Sequence, residues 1–184
     1  YITLNKPSGE ITLQANINVD IQIKFTQGIL NTDDTHILTM NAGSSTFNAA
    51  ADNCGASDIS FVNGPMRKTG NTAFIFPVGD KAVTKYPLHP IGIELADASE
   101  VTFYAKYYNT PPSNRNMLEN PVKRISSAEY WDLVRVSGTN NAYVTLRWRN
   151  MILPNPEDLV VVHYNSVSGK WESVGNTEIT GISG

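Results

Sequence analysis

Ile11-Thr-Leu-Gln-Ala-Asn-Ile-Asn-Val-Asp-Ile-Gln-Ile-Lys-Phe25 decides the fold class. Every odd position in it is apolar and every even position is polar. A period of two sends one row of side chains inward and the other outward, which an extended strand does and a helix does not. The run exceeds the length of an ordinary strand, so it requires a bend or corner, expected near Asn16 or Asn18.

The same grammar continues on both sides. Gly9-Glu-Ile-Thr-Leu13 is echoed by Gly28-Ile-Leu-Asn-Thr32, and again by His36-Ile-Leu-Thr-Met40 after a turn at Asp33-Asp34. Ser44 to Phe47 and Ile59 to Val62 follow, separated by Gly, Asn and Asp. These starts recur roughly every 20 residues, the range of a β-solenoid coil. One coil cannot bury its own face, so an open edge at the first coil is expected to be covered by another rung.

Beyond residue 64 the rhythm changes. Prolines cluster at 65, 77, 87 and 90, and short β-branched and aromatic runs alternate with turns. The segments 73–76, 91–95, 101–105, 143–148, 159–164 and 170–174 read as strands, with Ser168-Gly169 as the hairpin turn between the last two. Ser126-Ser-Ala-Glu129 matches a helix capping box, but Tyr130, Trp131, Val134 and Val136 are strand formers, and a strand is favoured. The expected fold is therefore all-β: a short β-solenoid-like ladder over 1–64, then a β-sandwich-like domain over 65–184.

Composition narrows the function classes. The 184 residues are 41% hydrophobic and 17% charged, with a net charge of −3. This small, scattered charge gives no footprint for nucleic acid or an anionic membrane. No apolar run approaches the roughly 20 residues of a membrane-spanning helix. Cys54 is the single cysteine, so no disulfide closes within the chain, and its neighbours Asn53, Gly55 and Ala56 offer nothing to activate a thiolate. A start at Tyr1 inside a strand pattern and an end at Gly184 read as a segment of something longer.

Ser60-Phe-Val-Asn-Gly-Pro-Met-Arg-Lys68, then Ala73-Phe-Ile-Phe-Pro-Val-Gly79, resembles a module of very large surface and adhesin-like proteins of the Bacteroidetes. Glu129-Tyr-Trp-Asp-Leu-Val-Arg135 and Val144-Thr-Leu-Arg-Trp148 follow in the order of that pattern, so the resemblance covers nearly the whole chain. It implies export through the outer membrane, often by the type IX secretion route, and display or release outside the cell.

Residues able to carry chemistry are few. Asp33-Asp34, with oxygens from Asn31 and Thr32 nearby, is the pair best suited to calcium, against a plain solvated corner. Asp52, Asn53 and Asp58 are weaker versions of the same idea. His36, His89 and His163 lack metal-ligand spacing. Glycoside hydrolysis needs two acids facing one cleft; Glu129 and Asp132 would point to opposite faces of a strand, while Glu94, Asp97 and Glu100 flank a turn. A sugar platform would use exposed aromatics, with Trp171 and Tyr107 as first candidates and Tyr108, Trp131 and Trp148 behind them. Arg147 and Arg149 are expected to face opposite Trp148, and Arg67-Lys68 to pair with an acid such as Asp80.

The sequence thus reads as a non-catalytic structural or adhesive segment of an exported surface protein, with no cofactor beyond the calcium considered at Asp33 and Asp34. The alternative is a carbohydrate-binding module of a secreted polysaccharide-active protein. Its partners would be neighbouring domains of the same chain, surface polysaccharide or the secretion machinery. The loop Asn109-Thr-Pro-Pro-Ser-Asn114 is the expected contact surface.

Overall fold

A computed structural model describes residues 1–50, 53–148 and 158–177. The chain is all-β, and it divides into two compact units. Unit 1 comprises residues 1–108 and 131–147, and unit 2 comprises 109–130 and 148–184.

The quoted stretch becomes three strands rather than one. It contains the end of β1 (Ile2–Thr12), all of β2 (Ile17–Val19) and the start of β3 (Gln22–Asn31). The corner falls at 13–16, where Asn16 Oδ1 accepts the Ile37 N–H at 2.9 Å. Breaking the run there exposes Ile11 and Ile21, while Leu13, Val19, Ile23 and Phe25 stay inside.

β1 lies parallel to β3, with Ile2 opposite Ile23, and β2 lies parallel to β4 (Leu38–Met40), with Ile17 opposite Leu38. Both steps are 21 residues, one coil of the ladder. The echo of Gly9–Leu13 in Gly28–Thr32 is a direct pairing, with Glu10, Ile11 and Thr12 opposite Ile29, Leu30 and Asn31. On the other edge of β3 sit β5 (Ser45–Thr46) and β6 (Val62–Asn63), also parallel. The chain leaves this edge at Phe47 and rejoins it at Ile59, so the second step lengthens: Leu38 pairs with Met66 of β7 (Met66–Gly70). β9 (Val78–Gly79) closes the first sheet against β6.

The first sheet therefore runs β1-β3-β6-β9. The second starts β2-β4-β7 and continues into β11 (Val101–Tyr108), antiparallel to β7, and then into β12 (Tyr130–Ser137). A third, antiparallel sheet joins β8 (Phe74–Phe76), β10 (Ile91–Leu95) and β13 (Ala142–Leu146). Strands on either side of residue 64 thus share sheets, and the compact units divide the chain elsewhere than at 64/65. Parallel pairing needs a long crossover between partners, so chain-distant strands meet in one ladder.

The core of unit 1 is built from inward-facing columns. Val19, Met40 and Lys68 stack in paired register across β2, β4 and β7, with Phe103 of β11 next in line. Leu30, Val62 and Val78 form a second column, exposed by 5%, 0% and 0%. Gly64, at φ +126°, lets the turn into β7 approach closely, since a Cβ there would lie 2.3 Å from the Thr32 carbonyl oxygen.

Unit 2 carries a two-stranded hairpin, β14 (Val161–Asn165) with β15 (Lys170–Gly175), turning at 166–169 as the sequence predicts. Ser126 Oγ accepts the N–H groups of Ala128 and Glu129, so the capping signal is used, but the chain then extends into β12 instead of a helix.

Candidate functional site

An ordered polar surface covers the outer face of the second sheet of unit 1. Strand parity creates it. Val101, Phe103, Ala105 and Tyr107 of β11 face inward, so Thr102, Tyr104, Lys106 and Tyr108 face outward. β7 alternates the same way, burying Met66 and Lys68 and turning Arg67 and Thr69 outward. Cross-strand register then aligns Asn18, Thr39, Arg67 and Tyr104 in one row over four strands. Beside it, Thr69 and Thr102 share a hydrogen bond of 2.9 Å between their hydroxyls.

Asp34 reaches this face from the corner after β3, and its Oδ1 accepts the Tyr104 hydroxyl at 2.8 Å. Burial, then this hydrogen bond to a carboxylate, pushes the Tyr104 phenol well above its ordinary range. It stays protonated at any physiological pH and serves as a donor, not a base. The Lys106 ammonium lies 4.7 Å from the centre of the Tyr108 ring. Half-exposed tyrosines on a flat face with amide, hydroxyl and guanidinium neighbours suit hydrogen bonding and ring stacking against a polar ligand.

Asp33 and Asp34 do not converge. One Asp33 oxygen accepts the Thr35 hydroxyl and the N–H groups of Thr35 and His36, and the His36 ring lies 3.0 Å from the other. The Thr35 hydroxyl first, and then His36, hold the Asp33 carboxyl well below the usual carboxylate range. Among the described residues no three His, Cys, Asp or Glu side chains gather into a metal-binding group. Asp52 and Arg149 lie outside the described residues.

Tyr107 is 4% exposed, so it is no open platform, and the expectation for it requires correction. Its ring stacks on His89 at 4.2 Å with 6° between the planes, and Trp131 closes the group with its indole N–H on the His89 carbonyl at 2.9 Å. Period-two reading of 101–108 would have selected Tyr104 and Tyr108 instead, because Val101, Phe103 and Ala105 fix the inward parity.

In unit 2, Trp171 is half-buried. Its indole N–H donates to the Ser113 carbonyl at 3.2 Å and its ring tilts against Tyr164 at 5.5 Å. Asn114 donates to the Tyr164 hydroxyl, so the predicted contact loop is fastened to the hairpin. Trp148 is half-buried as well.

Lys68 also departs from expectation. It points inward, 2% exposed, and donates to the Asn41 and Ser44 carbonyls at 2.8 Å each rather than to Asp80. Desolvation lowers its pKa to about 8. Asp80 instead accepts the Ala82 N–H.

A second polar feature is a shallow groove of about 480 Å³ at the edge of the first sheet. There Lys6-Pro7-Ser8-Gly9 bulges out of β1 opposite Gly28. A hydrogen-bonded circuit runs beside it: Lys81 Nζ to Glu10, Asn31 to Glu10, Asn63 to Asn31, and the Lys81 N–H back to Asn63. Lys81 first, then Asn31, lower the Glu10 pKa.

Comparison with known proteins gives no match to this chain, whether by family model, curated protein or solved structure.

Proposed function

We propose that the chain is a non-catalytic structural segment of a large exported cell-surface protein, an adhesin-like spacer displayed outside the cell. One observation supports this most strongly. Polar side chains on successive strands are used to tie coil to coil. Asn31 donates to Glu10 and Asn63 to Asn31, while Asn41 donates to Asp20 across a 21-residue step. Such rungs hold parallel strands in register. The surface location rests on the resemblance of Ser60–Lys68, Ala73–Gly79 and Glu129–Arg135 to Bacteroidetes surface modules.

The second reading, a carbohydrate-binding module, is favoured by Tyr104 and Tyr108 on one outward face. A glycan array, run with and without calcium, separates the two. The structural reading expects no saturable signal in either condition. Saturable binding that disappears in Tyr104→Ala and Tyr108→Ala moves the assignment to the binding module. Antibody labelling of intact cells of the source organism tests display, and a signal seen only after lysis would overturn the surface assignment.

A further inference from the structure

We infer that the outer edge of the first coil, formed by β1 and β2 together, is a docking edge for one further parallel coil of polypeptide. This deepens the structural reading by naming the chemistry of its nearest partner. Among the described residues β1 ends the first sheet and β2 ends the second, so a single coil presents both edges. Its edge backbone groups are the same kind that bind coil to coil elsewhere, and unpaired strand edges recruit strands.

The side-chain columns report the same vacancy independently. Along Ile11, Leu30, Val62 and Val78 the exposures are 40%, 5%, 0% and 0%. Along Ile17, Leu38 and Met66 the first member is half-buried and the next two are 1% and 0% exposed. Leu4 and Val19 of the same coil are 4% and 2% exposed, so the uncovered apolar surface of this edge is confined to Ile11 and Ile17. Covering Ile11 and Ile17 is what an added apolar rung would do.

Charge defines the occupant further. The polar rungs run Glu10, Asn31, Asn63 and Asp20, Asn41, so the first coil ends both in a carboxylate where the next coil carries an amide. Glu10 already accepts from Lys81 and Asn31, so the donor side chain of an added coil, Asn, Lys or Arg, is called for above all at Asp20. The added coil also needs apolar residues over Ile11 and Ile17. A second copy would bring to this edge the same Glu10 and Asp20 carboxylates and the same Lys6-Pro7 bulge, not the donors and apolar cover of an added coil.

The test appends a second copy of residues 22–42 directly before Tyr1 of the full chain, since that segment carries Asn31 and Asn41, the natural donors to Glu10 and Asp20. Amide hydrogen exchange in 2–5, 10–12 and 17–19 should slow at least roughly tenfold, the appended residues should become protected, and the chain should remain monomeric. Ile11→Lys with Ile17→Lys in the extended chain should abolish that protection. Added residues that exchange freely, or protection that survives the double substitution, would overturn the proposal. So would concentration-dependent dimerisation of the unextended chain that Ile11→Lys blocks, because the edge would then serve a second copy. Glycan binding and surface display are read separately, so failure here leaves the spacer reading to its own tests.

Discussion

Two tryptophans make nearly the same local contacts in very different surroundings. In unit 1, Trp131 donates its indole N–H to a backbone carbonyl and tilts against Tyr107 at 5.4 Å. In unit 2, Trp171 donates to a carbonyl and tilts against Tyr164 at 5.5 Å. Tyr107 is 4% exposed and Tyr164 is 39% exposed. The pair geometry is a property of the residues, whereas burial is a property of the layers around them. Unit 1 covers its aromatics with stacked columns from several sheets, whereas among the described residues the sheet of unit 2 has two strands, too few to bury both faces.

The largest expected effect tests that difference directly. Phe76 is 0% exposed and packs edge-on against Phe74 at 5.1 Å. Phe76→Ala should cost about 3–5 kcal/mol, the transfer loss plus an unfilled cavity. Trp171→Ala, although it removes a larger side chain, should cost about 1–2 kcal/mol because water already reaches that ring. Urea unfolding, followed by residue-level hydrogen exchange in each unit, measures both. Equal losses would break the comparison and show that the hairpin is as tightly packed as the columns.

The sequence made the strand content legible because period two leaves a strong mark over Ile11–Phe25 and Val101–Tyr108. It did not reveal the sharing of sheets across residue 64. Pairing in a parallel ladder is set by crossover lengths, and the departure at Phe47 lengthens one step from 21 to 28 residues without any signal in the strands themselves. Tyr107 was expected in the open but faces inward, because Val101, Phe103 and Ala105 set the buried row of its strand and leave Tyr104 and Tyr108 on the other face. Lys68 was unreadable for another reason. A lysine in an alternating strand is normally assigned outward, and only the carbonyls of the 41–44 turn, brought in by the previous coil, make an inward lysine tolerable.

The two units also treat lysine oppositely, and pH sharpens the contrast. Lys68 has its pKa lowered to about 8 by burial, whereas Lys170, paired with Glu119 in unit 2, has its pKa raised by that hydrogen bond. Between pH 8 and an unfolded lysine value near 10.5, the unfolded chain binds the proton that folded Lys68 has released. Stability from this group therefore rises with pH across that window, by up to about 3 kcal/mol. The comparison to make is the urea midpoint of wild type against Lys68→Met at pH 7.5 and pH 10, because subtracting the variant removes the tyrosine titrations common to both. A difference that stays constant with pH would mean that Lys68 is solvated in the folded state. Lys170→Met should shift neither pH slope nor midpoint measurably, as exposed pairs contribute little.

A smaller effect than that of Lys68 concerns two tyrosine hydroxyls, one in each unit. Tyr104 donates to the Asp34 carboxylate at 2.8 Å, and Tyr164 accepts from the Asn114 amide at 2.9 Å. A hydrogen bond to a charged group outweighs a neutral one, and partial exposure reduces both. Tyr104→Phe should therefore cost about 1 kcal/mol and Tyr164→Phe about 0.5 kcal/mol. Because Asp34 lies on the corner after β3 and Tyr104 on β11, their bond joins residues 70 positions apart on the outward face. Asp34→Ala should remove most of the Tyr104→Phe penalty in a double-mutant cycle, since neither change then breaks anything the other has left intact. Additive losses would assign the Tyr104 effect to its ring environment, leaving the Thr69–Thr102 bond as the side-chain hydrogen bond that ties strands on this face.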